Sequence, residues 1–597
     1  MGSGGGRGGS VAIVPLSKLT LVGHQAEKER VLEDLQEFGC LEIVSLAHDL
    51  APLADPSKRS REALSYLQQC PEKQRPVTNL AHFDAVRVKG ETLELRDRTH
   101  ELELERDALM HRIEALAPWG DFEFPTADDF GGQRLWFYVV PRNRLRDLEA
   151  SDLTWEEVKR DGRNAYVIVI SEEEPEGIPS PRVRTGSISR HKLERRLEDV
   201  ELELEDASLE RIRLTRWSRL LSLSLAALED RAARQLASDQ CYDSGPVFAL
   251  RAWAPTEALK ALEAYAAKHE IAMEVSDPGP DDEPPTLLRN SERTEGGEDL
   301  VNFYKTPGYS SWDPSSVILY SFAIFFAMII SDGGYGLVLA LLVAYFWKRL
   351  SSSAAGRRWH WVLGTLVVTT VVYGVMVGSF FGVAPAPDTF LSRLAVLDIT
   401  DANSMMALSI TIGVIHVMLA NLMDARRYGW SPRALPSLGW AMFVLAGYTL
   451  FVAAQAGADW LKGPALAVAI VGLVLVFVFS GYGARPLARL GKGLVGLTRI
   501  TAAFGDVLSY LRLFALGLAS ASLAIAFNGM AADAREAIPG VGLLVALIIL
   551  VIGHSLNLLL AVASGFIHGL RLNVIEFLNW GLPEEGPLFR PFKKKGV

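Results

Sequence analysis

The sequence predicts an α/β N-terminal domain with long coiled-coil arms, followed by an all-α polytopic membrane domain of eight transmembrane helices, the last two long and tilted. Three observations predict this class. Charged residues are dense up to about residue 300, apolar stretches dominate from about 315 onward, and leucines recur at heptad spacing in two parts of the first half. At 597 residues, the chain is also too long for one ordinary soluble domain.

Four regions follow from this division. We predict a flexible glycine-rich tail at 1–10, an α/β and coiled-coil domain at 11–276, a linker at 277–314 and the membrane domain at 315–597. The α/β prediction rests on short runs of β-branched and aromatic residues next to amphipathic segments, and the linker prediction rests on a local excess of Pro and Asp.

Two helical arms are predicted, at about 84–117 and 187–236. The first repeats leucine every seven residues from Leu95 to Leu116, and the second carries a 3/4-spaced apolar seam that Arg211 interrupts. We expect the two arms to pack against each other instead of offering the seam to a partner.

Composition excludes several functions. The net charge is −10 and the acidic and basic residues of the first half are interleaved, so no basic face for nucleic acid is expected. The three cysteines match neither a zinc site nor a disulfide framework. The sequence shows no phosphate-binding glycine loop and no nucleophile constellation. We therefore expect a non-catalytic chain with no cofactor and no metal site.

Hydropathy predicts eight passes, and loop charges predict their direction. The passes lie at about 315–331, 334–348, 360–383, 404–423, 437–456, 464–482, 498–528 and 541–579. Basic residues cluster after every second pass, while the opposite loops are mainly acidic. The positive-inside rule then places those basic loops, both termini and the 11–276 domain in the cytoplasm.

The last two passes are longer than a membrane requires. At the α-helical rise they would measure roughly 46 and 58 Å, against a hydrocarbon core of about 30 Å, so they must tilt or project. Each contains an arginine, Arg512 and Arg571. An arginine at the bilayer centre costs at least about 2.5–3.5 kcal/mol and cannot shed its charge.

The sequence offers no obvious counter-charge for Arg512. Asp506 lies about 120° away around the same helix, and Glu576 lies near the end of the next one. Neither is expected to be a mid-membrane partner, which leaves a carboxylate of another subunit or an intrachain group that spacing does not reveal.

The eighth pass carries a polar stripe at 3/4 spacing. Its members are His554, Asn557, Ala561, Ser564, His568 and Arg571. Such a face must meet protein or water. Taken singly, the residues have structural interpretations: Arg571 can snorkel, a histidine such as His554 or His416 can bridge helices, and Asp332 can cap the turn between passes one and two. The two arginines and the stripe together favour an ion-conduction path.

The stretches Ser509–Leu516 and His568–Phe577 resemble the two signature motifs of the V/A-type ATPase subunit a, also called subunit I. The hairpin at 331–336 and the linker sequence at 284–290 resemble further parts of that family. The resemblance covers essentially the whole chain after the tail.

The resemblance implies a static membrane subunit that provides two offset proton half-channels against a rotor ring. Each ring subunit carries one carboxylate, which Arg512, with Arg571 beside it, would keep ionised between the half-channels. His554, Asn557, Ser564 and His568 would line a half-channel. Glu576 and Asp506 would lie toward its cytoplasmic opening.

The implied partners are the proteolipid rotor ring, peripheral stalk subunits, a central-stalk or membrane-adaptor subunit and the lipid bilayer, without nucleic acid. The chain is shorter than eukaryotic members, which favours a prokaryotic plasma membrane. Two positions depart from some members, which have a histidine at Ser520 and a glutamate near Ala561, so roles at those sites do not transfer.

Two other functions remain open. A secondary ion transporter with a cytoplasmic regulatory domain would need internal repeats and helices broken near the midplane, and the sequence shows no repeat. A structural membrane tether would use the coiled coil but would give no reason for burying Arg512.

Overall fold

A computed structural model describes residues 12–46, 57–121, 131–149, 152–176, 178, 180–183, 188–398, 401–483, 485–537, 540–582 and 584–595. The tail predicted at 1–10 lies outside these residues, as do the first position of the 11–276 domain and residue 187 of the second arm. The chain forms two compact units. One contains the described residues of Met1–Gln25, Cys40–Val44 and Asp243–Pro591, and the other those of Ala26–Gly39, Ser45–Tyr242 and Phe592–Val597.

The strands form two antiparallel sheets. Their bounds are β1 Leu16–His24, β2 Glu42–Val44, β3 Arg134–Pro141, β4 Thr154–Arg160, β5 Asn164–Ser171, β6 Arg182–Val183, β7 Tyr242–Ser244, β8 Val247–Pro255 and β9 Ala272–Ser276. In the first unit the order is β2-β8-β1-β9, with β1 and β8 paired from Leu16↔Pro255 to His24↔Val247. Alternate apolar residues of these two strands are buried, as the period of a half-buried strand requires.

The second unit contains the coiled-coil arms. The helices of the first half are α1 Lys28–Phe38, α2 Lys58–Gln68, α3 Ala85–Leu116, α4 Leu145–Glu149, α5 Arg190–Leu214, α6 Ser218–Gln240, α7 Leu259–Lys268 and α8 Glu295–Asn302. The first predicted arm is α3, and the second is α5 and α6, joined by a 3₁₀ turn at Thr215–Trp217. Of these helices, α7 and α8 belong to the first unit.

The arms pack against each other as predicted. Leu95 of α3 shares a buried core with Ala207 and Leu214 of α5, and Arg196 donates to Glu105 at 2.8 Å along the edge of the seam. The polar interruption Arg211 is also explained, because its guanidinium lies 4.0 Å from the centre of the Tyr66 ring and donates to the Tyr66 carbonyl oxygen at 2.7 Å.

The region predicted as a linker is ordered. It contains α8, and Thr286 is fully buried, with Oγ1 donating to the Pro307 carbonyl oxygen at 2.7 Å. Lys18 Nζ lies 2.6 Å from Asp282 Oδ1, and this hydrogen bond holds the pKa of Asp282 below its ordinary value. The segment is therefore part of the first unit instead of a free connector.

The membrane half is mainly helical. Its helices are α9 Ser315–Ile330, α10 Gly333–Leu350, α11 Ala354–Val377, α12 Phe390–Leu394, α13 Ala402–Arg427, α14 Leu435–Ala456, α15 Asp459–Phe479, α16 Pro486–Thr498, α17 Ile500–Leu508, α18 Leu511–Ala537, α19 Gly542–Arg571 and α20 Leu578–Gly581. Helices lie at all eight predicted passes. In the described part of the chain, six stretches are long and apolar enough to cross a membrane, and α9 is a shorter apolar helix of 16 residues.

Pass seven is not the single continuous helix that its length suggested. It is divided into α17 and α18 by a break at Ser509–Tyr510. Tyr510 is fully buried: its hydroxyl lies 2.7 Å from His416 Nδ1, and its ring packs against Gly413 of α13. This packing anchors the chain at the break, one residue before Leu511 and two before Arg512.

The predicted tight hairpin joins α9 to α10. Ser331 adopts a left-handed conformation at φ 51°, and Asp332 caps α10 by accepting from the Tyr335 amide at 3.0 Å. The same carboxylate accepts from the amides of Phe381 and Gly382, both at 2.9 Å. The structural interpretation of Asp332 as a cap is confirmed.

The hairpin depends on a close approach of α11, which gives a stability prediction. A Cβ at Gly374 would overlap backbone atoms of Gly333, whereas one at Gly447 of α14 would meet no atom within 4 Å. We expect Gly374→Ala to lower the free energy of unfolding of the purified chain by about 1–3 kcal/mol, and therefore its melting temperature. We expect Gly447→Ala to leave both unchanged. Melting of the detergent-solubilised variants measures this, and equal melting temperatures for the two would contradict the packing described.

Candidate functional site

The candidate site centres on Arg512, in the first turn of α18. It faces the end of α19, where the helix passes through a π-helical turn at Leu572–Phe577 before α20. Arg512 Nη1 lies 4.0 Å from Glu576 Oε1, and the two side chains are 25% and 2% exposed. π turns widen a helix locally and are frequent at functional sites. Here the turn contains the carboxylate that faces Arg512.

Glu576 was expected to be no partner for Arg512, and that expectation is wrong. Helical spacing tests only groups on one helix, whereas this contact joins two helices across their interface. The pairing is nevertheless incomplete. Among the described residues, Arg512 Nη1 and Glu576 Oε2 have no hydrogen-bond partner. A guanidinium has five N–H donors, so one contact at 4.0 Å leaves most of its capacity unused.

Asp506 lies apart from Arg512, as its position on the helix predicted. Its Oδ2 accepts from the Trp580 indole N–H at 2.7 Å. The Arg499 guanidinium lies over the same indole, 4.1 Å from the ring centre. Asp506 therefore belongs to a polar group at the junction of α17 with α20.

The other predicted residues near the end of α19 differ in their exposure. Arg571 is exposed, His568 and Ser564 are half-buried, and His568 Nδ1 has no hydrogen-bond partner among the described residues. Arg571 thus presents its charge outward from this chain, while Arg512 lies partly inside.

A second polar cluster surrounds the first half of α19. We call it the Tyr335 cluster; its members are Tyr335, Ser520, Asn528, His554 and Asn557. The Asn557 amide donates to the Tyr335 hydroxyl at 2.9 Å and to the Ser520 carbonyl oxygen at 2.8 Å. The Tyr335 oxygen lies 2.8 Å from His554 Nδ1, and His554 Nε2 lies 3.1 Å from Asn528 Oδ1.

The hydrogen bonds of the Tyr335 cluster from Asn557 to Asn528 can all run in one direction. Since Asn557 donates to Tyr335, the tyrosine hydroxyl can donate to His554 Nδ1. His554 then carries its proton on Nε2 and donates to Asn528 Oδ1. The Asn528 amide in turn donates to the Phe381 carbonyl oxygen at 2.8 Å. A hydrogen-bonded series of this kind is suited to passing a proton or holding water.

Aromatic packing separates the two clusters. His554 and His568 are 14 residues apart, roughly 21 Å along the helix. On either side of His568, a Cβ at Gly565 would lie 2.6 Å from the Phe326 ring and one at Gly569 would lie 3.2 Å from the Phe322 ring. Phe566 contacts both of these phenylalanines, with ring centres 5.4 and 5.5 Å apart.

The residues of the predicted polar stripe therefore differ in burial. It lies on one unbroken helix, α19, but Asn557 and Ala561 are buried whereas Arg571 is exposed. The buried face of α19 follows a different row, spaced by four: Gly553, Asn557, Ala561, Gly565 and Gly569. Small residues at that spacing allow close helix packing.

Sequence reasoning missed Tyr335 and Asn528 as members of the cluster. Tyr335 lies within the Gly-rich hairpin and Asn528 within an apolar helix. A polar side chain in an apolar stretch was therefore the one signal in the sequence that could have indicated them. Among the described residues, no group of three or more His, Cys, Asp or Glu could hold a metal ion.

Comparison with known proteins identifies the relatives of the chain. No family model matches it. It is 25% identical over 621 residues to the V-type ATP synthase subunit I of Borreliella burgdorferi, covering 98% of this chain and 99% of that protein. It is 28% identical over 649 residues to V-type ATP synthase subunit I 1 of Treponema pallidum, covering 98% and 100%. The subunit I of Chlamydia pneumoniae is 29% identical over 472 residues, covering 66% and 69%.

Among solved structures, the cytoplasmic N-terminal domain of subunit I, homolog of subunit a of V-ATPase, matches 43% of this chain and 99% of that chain at 18% identity. The TM-score of 0.23 is too low to support an argument about the fold. The full-length sequence matches carry the conclusion: the chain is a homologue of subunit I of the V/A-type ATP synthases.

Proposed function

We propose that this chain is the static subunit that conducts protons past the rotor ring of a V/A-type ATPase or synthase. Its homologues support the broader statement that it is a membrane subunit of a rotary ATPase. The observation that carries the finer proposal is the incomplete pairing of Arg512, whose only ionic contact in the described chain is Glu576 at 4.0 Å.

A partly paired guanidinium suits a transient partner. Arg512 is a quarter exposed, so a carboxylate from outside the chain can reach it while Glu576 stays behind it. The fixed positive charge would lower the proton affinity of that carboxylate and keep it ionised as it passes. Beyond Arg512, α18 exposes Ala515, Ala519 and Ser522, whose small side chains would allow a rotor helix to approach closely.

The two polar clusters support two half-channels. The Tyr335 cluster would serve the half-channel on the side opposite the basic loops. Glu576, Asp506 and His568 would serve the cytoplasmic one, with Ser564 lying between. The phenylalanines around Gly565 and Gly569 would prevent a continuous water path along α19, so that a proton must travel on the rotor carboxylate.

Eight passes with both termini in the cytoplasm of a prokaryotic plasma membrane agree with the loop charges. The α3–α5 coiled coil would bind peripheral stalk subunits and resist torque, and the soluble half would meet a central-stalk or membrane-adaptor subunit. ATP hydrolysis or synthesis would occur on other subunits.

Replacing Arg512 tests the central step. We expect Arg512→Ala to reduce ATP-driven proton uptake by vesicles to background, because the rotor carboxylate would lose its fixed counter-charge. The complex should still assemble, because Arg512 is a quarter exposed and its contact with Glu576 is long, at 4.0 Å. Quenching of a pH-sensitive acridine dye measures uptake, and gel filtration measures assembly.

Arg535→Ala is the matched control, because Arg535 is an exposed arginine in the last turn of the same helix. We expect its proton uptake to equal that of the unmodified complex. Proton uptake at the normal rate by an assembled Arg512→Ala complex would exclude the proposed role.

Tyr335→Phe tests the Tyr335 cluster. It removes the hydroxyl between His554 and Asn557 but keeps the buried ring. We expect proton transport to fall by about tenfold, the effect of losing roughly one hydrogen bond from the path, with assembly unchanged. Tyr448→Phe is the control, because it removes a hydroxyl bonded to Thr411 at 2.8 Å outside the cluster. Equal transport rates in the two variants would argue against a role for the cluster.

A further inference from the structure

A cavity lined by basic residues lies beside Asp506, at the cytoplasmic end of the proposed proton path. Its volume is about 730 Å³, and it opens between α13, α14, α15, α16 and α20. Three cations line it, Arg433, Lys492 and Arg499, together with one buried carboxylate, Asp424.

The chain neutralises only part of the positive charge in this cavity, because Asp424 and Asp506 interact electrostatically with Arg499 alone of the three cations. Within the ranges that the structure describes, none of the three cations has an ion pair with a carboxylate. The Arg499 guanidinium lies on the Trp580 ring and makes one long hydrogen bond, 3.4 Å, to the Asn579 carbonyl oxygen. Asp424 Oδ2 instead accepts from Ser437 Oγ at 2.5 Å. Asp506 near Arg499 is likewise engaged, because it accepts from the Trp580 indole. Three cations near two carboxylates that are already hydrogen-bonded leave an excess of positive charge, which suits an anion.

A separate apolar groove lies next to the cavity. It has a volume of about 660 Å³ and lies between α13, α14 and α17, with Phe443, Val444 and Phe451 on its α14 side. On α14 the cavity residue Trp440 and the groove residue Val444 are one helical turn apart, and Arg499 and Ala503 are separated by the same spacing. The charged cavity and the apolar groove are therefore neighbours along the helices.

We propose that this cavity and groove together bind an anionic glycerophospholipid. The phosphate would lie among Arg433, Lys492 and Arg499, and an acyl chain would follow the groove past Val444. Basic cavities between membrane helices bind the headgroups of anionic lipids by this combination of charge and depth. The groove distinguishes a lipid from free phosphate, because phosphate alone would leave the apolar surface uncovered.

The purified complex, delipidated in a non-ionic detergent, provides the test. It is titrated with dioleoylphosphatidylglycerol or dioleoylphosphatidylcholine, and the bound lipid is counted by native mass spectrometry. Binding of radiolabelled inorganic phosphate is measured by equilibrium dialysis. We expect Arg433→Gln combined with Lys492→Gln to weaken phosphatidylglycerol binding by about 30-fold, since each cation near the headgroup contributes separately.

Two further variants distinguish a specific lipid site from general attraction to surface charge. Lys348→Gln combined with Arg485→Gln removes two exposed cations that do not line the cavity and should change phosphatidylglycerol affinity by less than about twofold, because solvent and salt screen exposed charges. Gly447→Leu fills open space in the groove and should weaken phosphatidylglycerol binding while the cationic cavity stays intact.

Three results would overturn the proposal. The first is equal affinity for phosphatidylglycerol in the Arg433/Lys492 variant and the unmodified complex. The second is an equal loss in the Lys348/Arg485 control, which would indicate general surface charge. The third is saturable phosphate binding that displaces the lipid and is unaffected by Gly447→Leu, which would indicate a site for the free anion.

Discussion

A guanidinium that cannot lose its charge sets the main constraint on the membrane half. Arg512 has Glu576 at 4.0 Å, and both groups keep atoms without hydrogen bonds in the described chain. The surrounding structure maintains this arrangement. The helix break at Ser509–Tyr510 begins α18 next to the arginine, and the buried Tyr510 anchors that break through His416. A fixed cation with spare donors can meet a passing carboxylate without any rearrangement of its own helix.

The separation of polar groups along α19 matters as much as their presence. A water-filled path from the Tyr335 cluster to Glu576 would let protons cross without moving a rotor. Phe322, Phe326 and Phe566 occupy the intervening length, and glycines at 565 and 569 let those rings approach the helix axis. In the proposed mechanism, the same small residues that permit close packing would also keep water out of this interval, and coupling would depend on both effects.

Periodicity in the sequence predicted much of the fold. The heptad leucines located both arms, and the glycines around Asp332 located the hairpin, because these signals are local. Contacts between distant segments were not accessible in this way. The Arg512–Glu576 contact joins residues on two helices, and the Tyr335 cluster joins α10, α18 and α19. The break in pass seven was missed for the same reason, since Tyr510 is held by His416 and Gly413 from another helix.

The π-helical turn at Leu572–Phe577 affects how residues can be matched between relatives. Such a turn closes hydrogen bonds over five residues where a regular helix uses four, so it accommodates one additional residue within a helix. A homologue that continues as a regular helix after its equivalent of Arg571 would need an alignment gap inside this segment. Matching by simple counting from Arg571 would then equate Glu576 with a position on a different side of that helix. For this reason, Glu576 should be matched with glutamates of relatives by superposing the structures instead of by counting residues.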